Sequence, residues 1–230
     1  MVVTPDLSNA SQEFKRLANA IDLLKAELLP ENLEDDQFPD DLSQSSTQVK
    51  AFIALSHAEI EAYIENMAIQ ILTQAIENLW KSHKRVSIPV LALMIFFPQR
   101  KDNDILKFKR DIQRNKLRTY IDDEIQRVND TFRQRVKDNH GIREANLYSL
   151  LLPLGLEIDI FDNLWIQEIE TLANERGTIV HQSRYGTLQP FNPKDKFEQV
   201  YKILYGRDLE NQKIFKGLID IDEDLRSLCL

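Results

Sequence analysis

Cysteine is almost missing from this chain of 230 residues. The one present, Cys229, permits no intramolecular disulfide and no cysteine-based zinc site, and its isolation suits a reducing compartment, so the expected location is the cytoplasm. Glycine and proline are also scarce, six and eight residues, which disfavours linker-rich and many-turned all-β architectures and leaves long uninterrupted helices. Long hydrophobic runs are missing too: Val90 to Phe97, enclosed by Pro89 and Pro98, falls far short of the roughly 18 to 20 residues of a membrane span. Met1 to Ala10 has neither the basic start nor the apolar stretch of a secretory signal, so no leader and no membrane partner are expected. The glycines at 141, 155, 177, 186, 206 and 217 are too scattered for a phosphate-cradling loop. Histidines occur only at 57, 83, 140 and 181, without the spacing of a zinc-binding helix, so neither a metal nor a cofactor is implied.

What is there is the composition of a globular protein, 43% apolar and 29% charged, with a formal net charge of -8. The charge is uneven. Between Arg100 and Arg118 eight basic residues stand against three acidic ones, a local +5 that leaves -13 for the rest. The simplest account of that segment is a solvated helix face. The same residues, with Lys107, Arg110, Arg114 and Arg118 foremost, are candidates to guide a phosphate backbone. Aromatic interleaving is thin, Phe108 and Tyr120 alone, so base stacking is not indicated.

Apolar residues recurring every three and four positions predict helices over Asn9 to Leu29, stopped by Pro30, and over Gln48 to about Ser82. Acidic Glu31 to Ser46 reads as a solvated loop, with Ser46 or Thr47 capping the long helix that follows. Pro89 to Phe97 reads as a short buried helix or apolar turn, and Asp104 to Asn139 as a second long amphipathic helix ending at Gly141. A short helix from Glu144 to Leu152 ends at Pro153, and Asp162 or Asn163 caps a helix through Trp165, Ile169, Leu172, Ala173, Ile179 and Val180. Two last helices are expected over Pro193 to Leu204 and Asp208 to Leu228, with no alternation that demands a sheet. The fold class is all-α.

Arg176 and His181 stand five residues apart in Glu175-Arg176-Gly177-Thr178-Ile179-Val180-His181. Spacing alone singles out nothing, because Arg135 and His140 match equally well. Context separates the two pairs. Arg135 has Thr131, Asp138 and Asn139 around it at helical spacing and reads as solvent-facing, with His140 at a helix end. Arg176 has Leu172, Ala173, Ile179 and Val180 three and four residues away, so a permanent charge falls on a core-facing stripe, where it needs a pairing partner or a site. A structural ion pair and a functional site both fit that placement. Gly177, inside the predicted helix, costs about 1 kcal/mol relative to Ala and leaves room for a kink or a close backbone approach. His57 and Glu61 lie one turn apart on the central helix, with His57 on the face of Ile53, Ile60 and Ile64. They read either as a buried histidine satisfied by a carboxylate or as the polar back wall of a site opposite Arg176.

The Arg, four-residue, His pattern near the end of a late helix, after a long helix carrying Ala54-Leu55-Ser56-His57-Ala58-Glu59-Ile60-Glu61, resembles the HEPN superfamily. Asn139-His140-Gly141-Ile142-Arg143 through Leu150-Leu151-Leu152-Pro153-Leu154-Gly155, leading to Trp165 and Arg176, further resembles its RiboL-PSP-HEPN branch. The resemblance runs from about Val49 to Ser183. The residue after the arginine, commonly Asn in such proteins, is Gly177, and His181 is not followed by the x-Tyr ending that would permit regulation by tyrosine modification. What the resemblance implies is a HEPN-like antiparallel helical bundle at 48–185, preceded by an N-terminal helix and acidic loop at 1–47 and followed by a C-terminal helical extension at 186–230. It further implies a metal-independent endoribonuclease in a toxin, phage-defence or stress-response role, with Arg176 and His181 catalytic and His57, Glu61 and Glu175 as supporting polar residues. Two side chains five residues apart on a straight helix point about 140° apart, so a homodimer with a composite cleft is expected, with RNA as substrate and an antitoxin or regulatory protein as a further partner. The alternative is a HEPN-like module that binds RNA, nucleotide or protein without cleaving.

Overall fold

The computed structural model describes residues 5–31, 33, 42–82, 86–98, 117–181 and 191–228. Among them are eight α-helices: α1 (Gln12–Leu28), α2 (Leu42–Ser82), α3 (Ile88–Phe96), α4 (Leu117–Lys137), α5 (Glu144–Leu151), α6 (Asn163–His181), α7 (Pro193–Tyr205) and α8 (Leu218–Ser227). Short 3-10 turns at Leu152–Leu154 and Ile158–Ile160 link α5 to α6. The one trace of β-structure among the described residues is an isolated bridge between Arg207 and Lys213.

The centre of the molecule is α2, 41 residues and so about 60 Å long, against which α1, α3, α4, α5, α6, α7 and α8 all pack. Its predicted stripe is the core: Val49, Phe52, Ile53, Ile60, Tyr63, Ile64, Met67, Ile71 and Leu72 are all buried. Trp165 of α6 is fully enclosed and donates its indole N–H to the Ile203 carbonyl of α7 at 2.9 Å, so its burial leaves no polar atom unmatched. One apolar cluster runs from Phe14 in α1 to Leu225 in α8. The two terminal helices therefore belong to the same core as the middle of the chain. They are also bonded to it. Asp222 of α8, fully buried, accepts from the Ser11 N–H at 2.9 Å, the Ser11 hydroxyl at 2.5 Å and the Tyr63 hydroxyl at 2.8 Å, while Ser11 Oγ caps α1 by accepting from the Phe14 N–H.

Several boundaries differ from the sequence expectation. Helix α2 begins at Leu42, so Ser46 and Thr47 lie within it; adding turns to an existing helix is cheap, and weak propensity does not stop it. Helix α3 forms but is not buried: Pro89, Val90 and Leu93 are covered, whereas Ile88, Leu91, Ile95 and Phe96 are 49% exposed or more. The expected last helix from Asp208 starts ten residues later, at Leu218. Gly206 (φ 64°) and Gly217 cross so closely that a Cβ on either would fall within 2.2 Å of backbone atoms of the other strand of the turn. Asp208 accepts from the Glu210 and Gln212 N–H groups and closes that turn. Of the helix expected over Asp104 to Asn139, residues 104–116 lie outside the described part, and the described remainder ends at Lys137.

Candidate functional site

Helix α2 carries two polar residues into the core side of its face: Ser56 is fully buried and His57 is 2% exposed. Their hydroxyl oxygen and Nδ1 have no hydrogen-bond partner among the described residues. Glu61, one turn on, approaches His57 Nδ1 to 3.6 Å, which is an ion-pair distance and too long for a hydrogen bond. The expectation of a histidine satisfied by that carboxylate is therefore corrected. Burial, then the charges of Arg176 and Arg143, push the His57 imidazole down to about 4, so it is neutral at physiological pH. Burial and the neighbouring Glu65 push the Glu61 carboxyl up, opposed by the Gly141 N–H, Arg176 and His140.

Arg176 comes to the same place from α6. It follows the buried Leu172 and Ala173 but is itself only half-buried, because α6 leaves the core at its end: Val180 is 55% exposed and His181, its last residue, is exposed. The stripe reading of Arg176 thus holds for Leu172 and Ala173 and fails for Val180. Among the described residues Arg176 has no carboxylate at ion-pair distance. That disfavours the structural ion pair. Helical structure runs unbroken through Gly177, and at regular helical spacing residues five apart leave the axis about 140° apart, which does not bring His181 onto the Arg176 face. A Cβ added at Gly177 would meet nothing within 4 Å.

The loop between α4 and α5 forms a third side. Asn139 donates to Glu65 of α2 at 2.8 Å, and Asn146 donates to Asn139 at 3.0 Å. Gly141 (φ 138°) then brings its backbone beside the Glu61 carboxyl, and Arg143 reaches α6, donating to Asn174 at 2.6 Å and to Glu170 at 3.4 Å. The site expected from sequence lacked Arg143 and His140. The run Asn139 to Arg143 was the available signal, a polar turn with a glycine between two helices, but nothing local says which helices it will bridge. The matching pair Arg135 and His140 is split: Arg135 lies over the Phe97 ring at 4.9 Å, and His140 belongs to the loop.

Not all expected residues gather here. Glu175 turns to α7, where it pairs with Lys196, which also donates to Gln199 at 3.1 Å; the second Glu175 oxygen is buried without a hydrogen-bond partner among the described residues. Glu175 is thus a tie between α6 and α7 and does not stand with His57 and Glu61. Lys107, Arg110 and Arg114 lie outside the described residues, and Arg118 is placed at the start of α4 with its side chain outside them. What does converge is one permanent cation, one neutral imidazole and one half-buried carboxyl, with a second arginine behind. Such a set has the chemistry to hold an anion against Arg176, with titratable groups beside it. Among the described residues no three His, Cys, Asp or Glu side chains are grouped to hold a metal ion.

A family model described as RiboL-PSP-HEPN matches residues 9–225 of the chain. That span takes in both terminal helices, which the sequence reading left outside the resemblance. No curated protein and no solved structure matches the chain.

Proposed function

Because this chain belongs to the RiboL-PSP-HEPN family, a HEPN-type all-α domain of a kind generally RNase-like or nucleotide-binding, we propose that it is an endoribonuclease that cleaves by 2'-hydroxyl attack and needs no metal ion. The observation that carries this reading is Arg176: a half-buried guanidinium without an ion-pair partner among the described residues, set beside His57 and Glu61. A guanidinium so placed suits a phosphate, whose two oxygens match its fork and whose charge grows in the transition state. His181 moves the proton at the attacking or leaving oxygen. Since the two residues diverge within one protomer, the reading includes a homodimer in which two copies of α6 share a cleft. A cytoplasmic location, a toxin, phage-defence or stress-response role, and restraint by a regulatory protein accompany it as parts of the same proposal.

The second reading is a HEPN-like module that binds RNA or nucleotide without cleaving, and the outward direction of His181 favours it. Cleavage of total RNA and tRNA in chelator, by wild type and by Arg176→Ala and His181→Ala variants of unchanged fold, separates the two. The nuclease loses two to four orders of magnitude in either variant. A binding module cleaves nothing as wild type and loses affinity only when Arg176 is removed.

A further inference from the structure

Transesterification at phosphorus moves two protons, one off the attacking 2'-oxygen and one onto the leaving 5'-oxygen, and the reading above assigns a group, His181, to only one of these transfers. The fold supplies a second. His140 sits in the α4–α5 loop between Asn139, bonded to Glu65 at 2.8 Å, and Gly141, whose backbone lies beside the Glu61 carboxyl. Asn139 therefore fastens the loop to the face of α2 that also carries His57 and Glu61. On the far side Arg143 fastens the same loop to Asn174 and Glu170 of α6, half a turn and more before Arg176. The hold on Asn139 is reinforced by Asn146 and by its own bond to the Gly141 carbonyl at 3.0 Å. The result is an exposed imidazole on a pinned backbone, within electrostatic reach of the same Glu61 that feels Arg176.

We propose that His140 is a second proton-transfer residue of the Arg176 site, contributed by the same protomer as Arg176. This rests on the ribonuclease reading above. His140 takes the proton from the 2'-hydroxyl as the O2'–P bond forms, and His181 gives a proton to the 5'-oxygen as the P–O5' bond breaks. The products are a 2',3'-cyclic phosphate and a free 5'-hydroxyl, with the protein left one proton richer at His140 and one poorer at His181 until solvent resets both. The charged groups on the elements around the loop are Glu61 and Glu65 on α2, Arg143 on the loop itself and Arg176 on α6. Arg176 holds the phosphate.

The test is the pH dependence of kcat/KM between pH 5 and 8.5 for the full chain, wild type, His140→Ala, His140→Gln and His181→Ala, with Arg135→Ala as a control outside the site. Wild type gives a bell. Removing His140 lowers kcat/KM by about 10²- to 10⁴-fold and abolishes the acid limb, because no base remains to be protonated, while the thermal midpoint holds; Arg135→Ala changes neither. A His140→Ala profile parallel to wild type, whether at full rate or lowered with the midpoint, overturns the proposal while leaving the ribonuclease reading intact if Arg176→Ala is inactive. Absence of cleavage by wild type overturns both. Mixed dimers test the second half of the claim: Arg176→Ala and His140→Ala copies combined restore no activity if the two residues serve one protomer's site, and about half the activity of wild type if they meet across the interface.

Discussion

Replacing His57 by Gln isolates the cost of keeping a neutral histidine inside α2. The imidazole is 2% exposed and held at about 4, against an ordinary value of 6.5 that it regains on unfolding. A folded-state pKa below the unfolded one means that the unfolded chain binds the extra proton first. Stability is therefore complete above pH 6.5 and drains as pH falls towards 4, with a limiting slope of about 1.4 kcal/mol per unit. Between pH 7.5 and 5 the integrated loss is about 2 kcal/mol, and about 3 kcal/mol over the whole window. Glu61 acts in the opposite sense: its raised carboxyl takes up a proton in the folded state first, which adds stability in acid and blunts the raw curve. Both wild type and the variant keep Glu61, so the difference between them reports His57. Urea denaturation at half-unit steps from pH 7.5 to 5 should show wild type losing about 2 kcal/mol relative to His57→Gln. Curves that stay parallel to within about 0.5 kcal/mol would refute a neutral, desolvated His57 and the polar wall built on it.

Four further substitutions probe the frame around the site. Gly177→Ala places a methyl in open space on an unbroken helix and should raise stability by about 1 kcal/mol, seen as a thermal midpoint about 2 to 4 °C higher; a lowered midpoint would show a second surface closing on that position in solution. Asp222→Ala leaves the Tyr63 and Ser11 donors and Arg226 without their buried acceptor and should cost about 3 to 5 kcal/mol in urea, whereas Tyr63→Phe removes one bond to a charged group and should cost about 1.5 to 3; equal effects would contradict the shared network. Gly206→Ala meets the Phe215 carbonyl oxygen at 2.1 Å at a positive φ and should destabilise by about 2 kcal/mol or more in the same assay, while a neutral result would mean that the 206–217 turn opens freely.

Much of the fold was legible because helical periodicity reports burial directly. The stripes of α1, α2 and α6 matched the core at Phe14 to Ile21, Val49 to Leu72 and Trp165 to Ala173, while Leu24, Leu28, Ile76 and Leu79 at the helix ends are only partly buried. What periodicity does not report is where a helix leaves its neighbours, and so Val180 and the outer face of α3 were assigned to a core that does not reach them. The turn at 206–217 was missed because its glycines matter through a long-range backbone crossing, which no local pattern encodes. The candidate site divides the same way. His57, Glu61 and Arg176 stand out in the sequence as polar residues on apolar faces. Arg143 and His140 do not, because a polar residue in a loop contradicts nothing. Glu175 was drawn in by its neighbour's role, yet it lies 100° around α6 from Arg176 and turns to Lys196 of α7.

Cleavage of a single RNA oligonucleotide beside its fully 2'-O-methylated twin, in chelator, is the most direct test of the function proposed for Arg176 and His181. The account predicts that only the RNA is cut, leaving 2',3'-cyclic phosphate and 5'-hydroxyl ends, and that Arg176→Ala leaves it whole. Cutting of the methylated strand, or 5'-phosphate ends, would contradict attack by the 2'-hydroxyl and with it the chemistry assigned to this site.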